Sequence, residues 1–528
     1  MRAWWPALVV LLLAALLRGA GLSFGQPNAE RSPTFSQRDQ LHELTVLHPD
    51  EFLFVSIPWR MALSRRPATD FYENPNFLIN LNFFTFLFTR GDGGISHAER
   101  LATSTNQRTY APFDLYVVGR VFSAWGGVLG VAAAYGLARR LTTPYGAFVA
   151  ALLVACAFPL VQHGHYSTTS SLAAGLGMAC LWATAVAWER RSLRWMALAA
   201  FFGGLALGNR YNAALFVAPL GLACLALSWQ ERAWRWWLVP LLVPLVFLLT
   251  TPSLLAQPEK FIADLQYISN QYLGSGNPGG LNFSAWQGLG VMLDYLIVYG
   301  LGWPAALLAL LSLLALRGPA RLGVAALWGY AATYGLVFLR TVRPAGADQL
   351  TILIVPVLAL LAGAGAGLLR TRWRRAWVGI SLALAAVVVP LSLSLPFVAR
   401  LGLPDTRDLM QDWVYNHVPR GARVAQIGPY NVPLDPQDYA FAIHYINPDD
   451  VTTQQVAEAD YALVSDTQSD FVRRINPAYP RGLYVSWPVL AWIERPAQAG
   501  GQHMVHTASY WHNPGLTLYC LAACAIAP

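Results

Sequence analysis

Residues 119–141 read GRVFSAWGGVLGVAAAYGLARRL. After Arg120, eighteen residues pass without a charge, and the run ends on the pair Arg139-Arg140. A stretch of about 20 apolar residues is what a helix needs to cross a hydrocarbon core of ~30 Å. Inside that core the backbone must satisfy its own hydrogen bonds, so the reading is a transmembrane helix, beginning near Phe113. The same pattern recurs along the chain. Other such runs begin near Trp4, Tyr145, Thr168, Trp195, Tyr211, Trp236, Tyr295, Gly323, Gln349 and Ala376, which makes eleven candidate spans. The first span lacks a small-residue cleavage site and reads as a retained helix.

Composition agrees. Of 528 residues, 12% are charged and 55% hydrophobic, with a mean hydropathy of +0.40. That charge content is about half the share usual in soluble domains. The net charge of +8 sits in short loops between apolar runs and does not point to nucleic acid. Arg139 and Arg140; Arg190, Arg191 and Arg194; Arg232 and Arg235; Arg317 and Arg321; and Arg370, Arg372, Arg374 and Arg375 fall in alternate loops. By the positive-inside rule these loops are cytoplasmic. The expected topology has the N-terminus cytoplasmic, with the Ser23–Pro112 loop and the C-terminal domain outside. The expected division is a transmembrane core over 1–399, with its first external loop at 23–112, and an extracytoplasmic α/β domain over 400–528. Fold class is then mainly α: a polytopic bundle of about eleven helices with that domain appended. Cys156, Cys180 and Cys224 lie in apolar runs and read as core residues; Cys520 and Cys524 can pair if that end is oxidised.

The tail from Leu401 carries seven Arg and twelve Asp or Glu. DTRDLMQDWVYNHVP (405–419) has apolar residues at helical spacing between an Asp cap and a Pro stop. ARVAQIG and ADYALVSD run apolar like buried strands. Neither an internal repeat nor a low-complexity segment is present.

Between the first two spans stands LTVLHPDEFLFVSIPWRM (44–61), with Asp50 and Glu51 side by side. One reading is structural: Pro49 opens a helix and the two acids complement its first turn. The other is catalytic. A carboxylate under an apolar roof just outside a span is a better base toward a hydroxyl or amine. One base suffices for glycosyl transfer when the leaving group is a phosphate, provided a cation stands at the same face; glycoside hydrolysis uses two carboxylates instead. Arg210, in LGNRYNA, is the first candidate cation, followed by Arg120, Arg340 and Arg343.

With these residues in place the chain resembles the GT-C glycosyltransferases of the family-39 type, which include protein O-mannosyltransferases and lipid A aminoarabinose transferases. The resemblance covers nearly the whole chain. ALLRGAGLSFGQP followed by HPDEF, then NPNFLINLNFF, GRVFSAWGGVLGVAAAYGLARRL, GHYSTTSSLA, GNRYNAALFVAP and TTPSLLAQPEKFIADL follow in the family's order, and DTRDLMQDWVYNHVPRGARVAQ with ADYALVS resembles its external domain. The resemblance implies a polyprenyl-phosphate sugar donor, inverting transfer on the extracytoplasmic face, and a bacterial plasma membrane location. It implies Asp50 as base with Glu51 beside it, and Arg210, Arg120 and Arg343 toward the donor phosphate. His165, Tyr166 and Tyr211 are expected near substrate. Partners are then that donor, a lipid, glycan or protein acceptor, and membrane lipids. Relatives carry a pattern like SHYATTD where this chain has GHYSTTS, so Ser170 stands in place of an Asp. That departure leaves acceptor class and metal use open. His163 and His165 form an H-x-H, and without a third ligand they read as interfacial histidines; a divalent metal is left open and no other cofactor is implied.

Two other readings stand beside this one. A transporter would place ionisable groups at mid-span, whereas here the spans are nearly free of them and Asp294 lies near an end. A non-catalytic relative whose external domain binds glycan or partners is the other.

Overall fold

The computed structural model describes residues 5–25, 49–90, 113–273, 285–317, 320–338, 347–372, 376–403, 406–427, 432, 434, 438–444, 453–465, 502–505 and 515–521. The chain is a multi-pass integral membrane protein built mainly of apolar helices. The first part holds α1 (Trp5–Gly19), α2 (Pro49–Ser64), α3 (Phe77–Arg90), α4 (Phe113–Leu141), α5 (Pro144–Cys156) and α6 (Phe158–Gln162). After these come α7 (Thr169–Arg190), α8 (Leu193–Leu207), α9 (Val217–Glu231), α10 (Leu242–Thr250), α11 (Pro258–Leu273), α12 (Ala285–Tyr295) and α13 (Gly302–Leu311). The bundle closes with α14 (Arg321–Phe338), α15 (Ala347–Thr351), α16 (Val355–Arg372) and α17 (Ala376–Arg400). Among the described residues, Asp114–Leu141, Thr169–Arg190, Tyr211–Glu231 and Trp377–Arg400 are helices long and apolar enough to cross a membrane, and Met292–Arg317 is a fifth if its bend is counted within one span. Six shorter apolar helices lie among them.

Most of the apolar runs begin near a helix start, but several of them are not straight helices. The run from Tyr295 passes through a π-helical turn, Leu296–Gly300, and then bends by 111°. Gly302 makes the bend, in the left-handed region at φ +80°, which a side chain would strain. Gln349 does not open the next span. It lies in the short helix α15, and the chain turns before Val355 starts α16. Elsewhere small residues let the backbones meet: a Cβ on Gly175 would fall 1.9 Å from the Gly126 carbonyl, so α4 and α7 cross in direct contact.

Arg18, near the end of α1, is fully buried. It donates to the carbonyls of Val154 (3.0 Å) and Ala155 (2.9 Å), the last turn of α5. A cation there complements the helix dipole and the orphan carbonyls. It secures the break at Ala157, after which α6 and the loop 163–168 run toward the acidic pair of α2.

The tail has its own core. After α18 (Thr406–His417) come β1 (Arg423–Ile427), β2 (Ala440–His444), α19 (Thr453–Ala457), β3 (Tyr461–Ser465), β4 (Gln502–Val505) and β5 (Leu516–Cys520). The sheet order is β2-β1-β3-β5-β4. β1 runs parallel to β2 and β3, while β5 runs antiparallel to β3 and β4. Met410, Val414 and Val418 pack on Val424, Leu463 and Leu518. The expected helix and both expected strands are therefore present. Cys520 is disulfide-bonded, whereas Cys156, Cys180 and Cys224 are free; Cys524 lies outside the described residues.

Candidate active site

The acidic pair opens α2 as helix chemistry requires: Pro49 is the first residue and both acids stand in the first turn. Consecutive helical positions point about 100° apart, and the two carboxylates go to different places. Glu51 is completely buried. Its oxygens accept from Arg120 Nε (2.8 Å) and Nη2 (2.9 Å), a bidentate pair, and from the Ser167 backbone N–H (2.6 Å). Arg120 Nη1 donates to the carbonyls of Leu22 (2.9 Å) and Phe24 (2.8 Å), and its carbon sits 3.9 Å from the centre of the Phe24 ring. The guanidinium is thus fully engaged inside the protein. One ion pair joins the segment that follows α1, the start of α2, α4 and the loop 163–168.

Asp50 stays half-buried, and its Oδ2 accepts from Gln349 Nε2 (2.7 Å) on α15. A third carboxylate, Glu73, stands in the segment between α2 and α3. Burial first, and then the carboxylates of Asp264 and Asp50, hold its carboxyl above the usual range, against the opposing pull of Lys260. That segment is clamped. Asp264, on α11, accepts from the Tyr72 N–H (2.8 Å) and from Lys260 Nζ (2.6 Å). The Tyr72 hydroxyl donates to Gln257 (2.9 Å), and the Tyr72 carbonyl accepts from the Tyr211 hydroxyl (2.8 Å). The sequence reading passed over Glu73 and Gln349. FYENPNF does carry a signal, an acid between the same two apolar runs as Asp50; an isolated Gln carries none.

Arg210 follows α8 and is 7% exposed. Its Nη1 donates to the Ser170 hydroxyl, and among the described residues no carboxylate pairs with it. A buried guanidinium with one neutral partner is a poor arrangement unless an anion joins it.

His165 is buried, with Nδ1 2.8 Å from the Val161 carbonyl and Nε2 3.0 Å from the Ala20 carbonyl. Tyr166 is buried edge-on to Phe24. Both brace the loop from within, whereas Tyr211 is half-buried beside Phe261. Arg340 and Arg343 lie outside the described residues. Among the described residues no three His, Cys, Asp or Glu side chains are grouped to hold a metal.

Known proteins can now be set beside this geometry. Residues 114–255, about a quarter of the chain, match the family model described as dolichyl-phosphate-mannose-protein mannosyltransferase. No curated protein matches the chain. Among solved structures, the archaeal oligosaccharyltransferase AglB from Archaeoglobus fulgidus, in complex with an inhibitory peptide and a dolichol-phosphate, is similar at 13% identity with a TM-score of 0.51; the match covers 88% of this chain and 70% of that one. ArnT from Cupriavidus metallidurans bound to undecaprenyl phosphate aligns at 15% identity over 92% of this chain and 97% of its own, with a TM-score of 0.46. The arabinofuranosyltransferase AftD from Mycobacteria aligns at 18% identity over 98% of this chain and 40% of its own, with a TM-score of 0.37. The likeness to AglB carries the fold. This chain shares that GT-C-like membrane fold, and residues 114–255 resemble the mannosyltransferase family model.

Proposed function

We propose that this GT-C-fold chain is a membrane glycosyltransferase that moves a sugar from a polyprenyl-phosphate donor to an acceptor on the extracytoplasmic face. The observation that carries this reading is the pairing of two groups around one loop. Glu51 holds Ser167, and Arg210 reaches Ser170, so the half-buried carboxylate next to Glu51, Asp50, and a buried cation that pairs with no carboxylate among the described residues come to the same short segment.

In this reading Asp50 takes the proton from the acceptor hydroxyl or amine as that atom attacks the anomeric carbon. The new bond forms opposite the bond to phosphate, so the configuration inverts. The electron pair of the broken bond leaves with the polyprenyl phosphate, whose charge Arg210 stabilises. Glu51 and Arg120 orient rather than react, because each already uses its hydrogen-bonding capacity on the other and on backbone. Arg120 therefore passes the phosphate role to Arg210. Ser170 supports this assignment: an Asp there would neutralise the guanidinium, whereas a hydroxyl leaves its charge for the donor. The dolichol-phosphate and undecaprenyl phosphate bound by AglB and ArnT support a lipid-phosphate donor. The basic loops after α4, α7 and α9 lie at the helix ends opposite this site, which supports an extracytoplasmic site and a cytoplasmic N-terminus. A disulfide at Cys520 suits an oxidising compartment for the tail. We place the chain in a bacterial plasma membrane.

The test is direct. Purified protein is incubated with a panel of polyprenyl-phosphate sugars, and donor cleavage or transfer is followed. Turnover of one donor that is lost in both Asp50→Asn and Arg210→Ala supports the assignment; turnover that survives in both removes it.

A further inference from the structure

We propose that Arg317, Arg321 and Arg370, gathered around the connection between α4 and α5, form a docking surface for the headgroup of an anionic phospholipid. These charges stand at the helix ends opposite Asp50. α15 meets Asp50 through Gln349, α16 starts shortly after it, and Arg370 lies about 22 Å further along the α16 axis at the helical rise. On the topology proposed above this is the cytoplasmic leaflet. The surface uses neither Asp50 nor Arg210 and does not depend on the transfer reaction.

Helix packing brings the three arginines together. Trp328 Nε1 donates to the Ser312 hydroxyl (3.0 Å), which ties α14 to the 3-10 turn Ser312–Arg317. Gly323, in the first turn of α14, makes room for Leu141, and a Cβ there would collide with that side chain. Gly367, in α16, makes room for Thr142 and Thr143 in the same way, one turn before Arg370. The Arg370 guanidinium then lies 4.5 Å from the centre of the Tyr145 ring, a cation–π contact that forms no hydrogen bond.

The neighbouring helix ends are built differently. Arg140 pairs with Glu189 (3.0 Å), and Glu231 takes both Arg191 (3.4 Å) and Arg235 (3.1 Å). From residue 295 to 347, and again from 349 to 404, the chain has no Asp or Glu. Among the described residues Arg317, Arg321 and Arg370 pair with no carboxylate, and all three are exposed. Their charge is complementary to an anion from outside the chain. Leu313, Leu314 and Leu322 are exposed beside Arg317 and Arg321, so the cations stand at the rim of an apolar wall. Acyl chains fit the wall while the guanidinium forks take the phosphate oxygens above it. A soluble anion has no use for the wall.

The test uses the full-length protein in a neutral detergent at low salt. It is titrated with phosphatidylglycerol or with phosphatidylcholine, and bound lipid is counted by native mass spectrometry. The unmodified protein should bind phosphatidylglycerol at least about tenfold more tightly, since each arginine near an anionic headgroup is worth roughly fivefold. The variant carrying Arg317→Gln, Arg321→Gln and Arg370→Gln should lose most of that preference. The variant carrying Arg140→Gln, Arg191→Gln and Arg235→Gln should keep it, because those charges are already paired. Salt of about 0.5 M should abolish the preference in the unmodified protein, a measurement that needs no variant to fold. Equal binding of the two lipids by the unmodified protein, a preference that survives the salt or the first variant, or an equal loss in the second variant overturns the proposal. So does binding of glycerol phosphate as tight as that of phosphatidylglycerol, which would make the surface a site for a soluble anion.

Discussion

Replacing Arg120 by Met should destabilise the protein far more than any change at Asp50. The substitution keeps an apolar stem on α4 but strips four hydrogen bonds: two to Glu51 and one each to Leu22 and Phe24. Glu51 is then a fully buried carboxylate with only the Ser167 N–H to accept from. Stranding one partner of a buried, hydrogen-bonded pair costs about 3–5 kcal/mol. On the scale at which domains of a few hundred residues lose a few degrees per kcal/mol, the melting temperature should fall by on the order of 10 °C. The companion variant is Glu51→Gln combined with Arg120→Met. It removes both charges of the pair and leaves no stranded buried ion at that position, so it should be more stable than Arg120→Met alone. Thermal unfolding in one detergent, followed by tryptophan fluorescence with size-exclusion chromatography as a check on aggregation, gives both numbers. A fall of no more than about 2 °C in Arg120→Met, under 1 kcal/mol on that scale, would refute the idea that this pair ties α1, α2, α4 and the loop together.

Arg210→Ala should weaken donor use strongly while changing the melting temperature little, and Ser170→Asp should do the same by giving the guanidinium a fixed counter-charge; unchanged donor kinetics in a folded Arg210→Ala protein would return Arg210 to an interfacial role. Glu73 has a raised carboxyl in the folded state, so the folded protein holds its proton to higher pH than the unfolded chain does, and stability falls as pH rises through that window. Glu73→Gln should therefore raise the melting temperature at neutral pH and leave it unchanged at a pH below the usual carboxylate range, which a pair of melting curves decides. Reporter fusions after Arg375 and after Pro404 should report opposite sides of the membrane, since α17 lies between them; the same side for both would overturn the topology.

Much of this fold was legible because the bilayer writes it into composition. Apolar runs marked the helices from Phe113, Thr168 and Ala376 closely, and Pro49-Asp50-Glu51 announced the start of α2. Apolarity does not encode direction, however. The 111° bend after Tyr295 depends on one glycine at φ +80° inside a run that reads as continuous. The candidate site was legible only in part. Asp50 and Arg210 stood out as charges at the ends of apolar runs. Glu51 and Arg120 looked equally reactive, because an isolated charge reads the same whether it meets substrate or another side chain 69 residues away. Arg18 was hidden for the same reason: its partners are backbone carbonyls of α5, and no residue type advertises a carbonyl. The contact between Gln349 and Asp50 is a product of packing between distant elements, for which one sequence holds no pattern.

The central claim is that the acidity of Asp50 carries the reaction. Asp50→Asn keeps the shape of the side chain, can still cap α2, and retains a carbonyl oxygen for Gln349 to bond. Transfer by this variant should be compared with the unmodified protein in one lipid system, with the same polyprenyl-phosphate sugar and matched melting curves. The rate should fall by roughly 10²-fold or more, the lower end of what a general base contributes, at an unchanged melting temperature. Full transfer activity in a folded Asp50→Asn protein would contradict the account and leave Asp50 as the first turn of a helix.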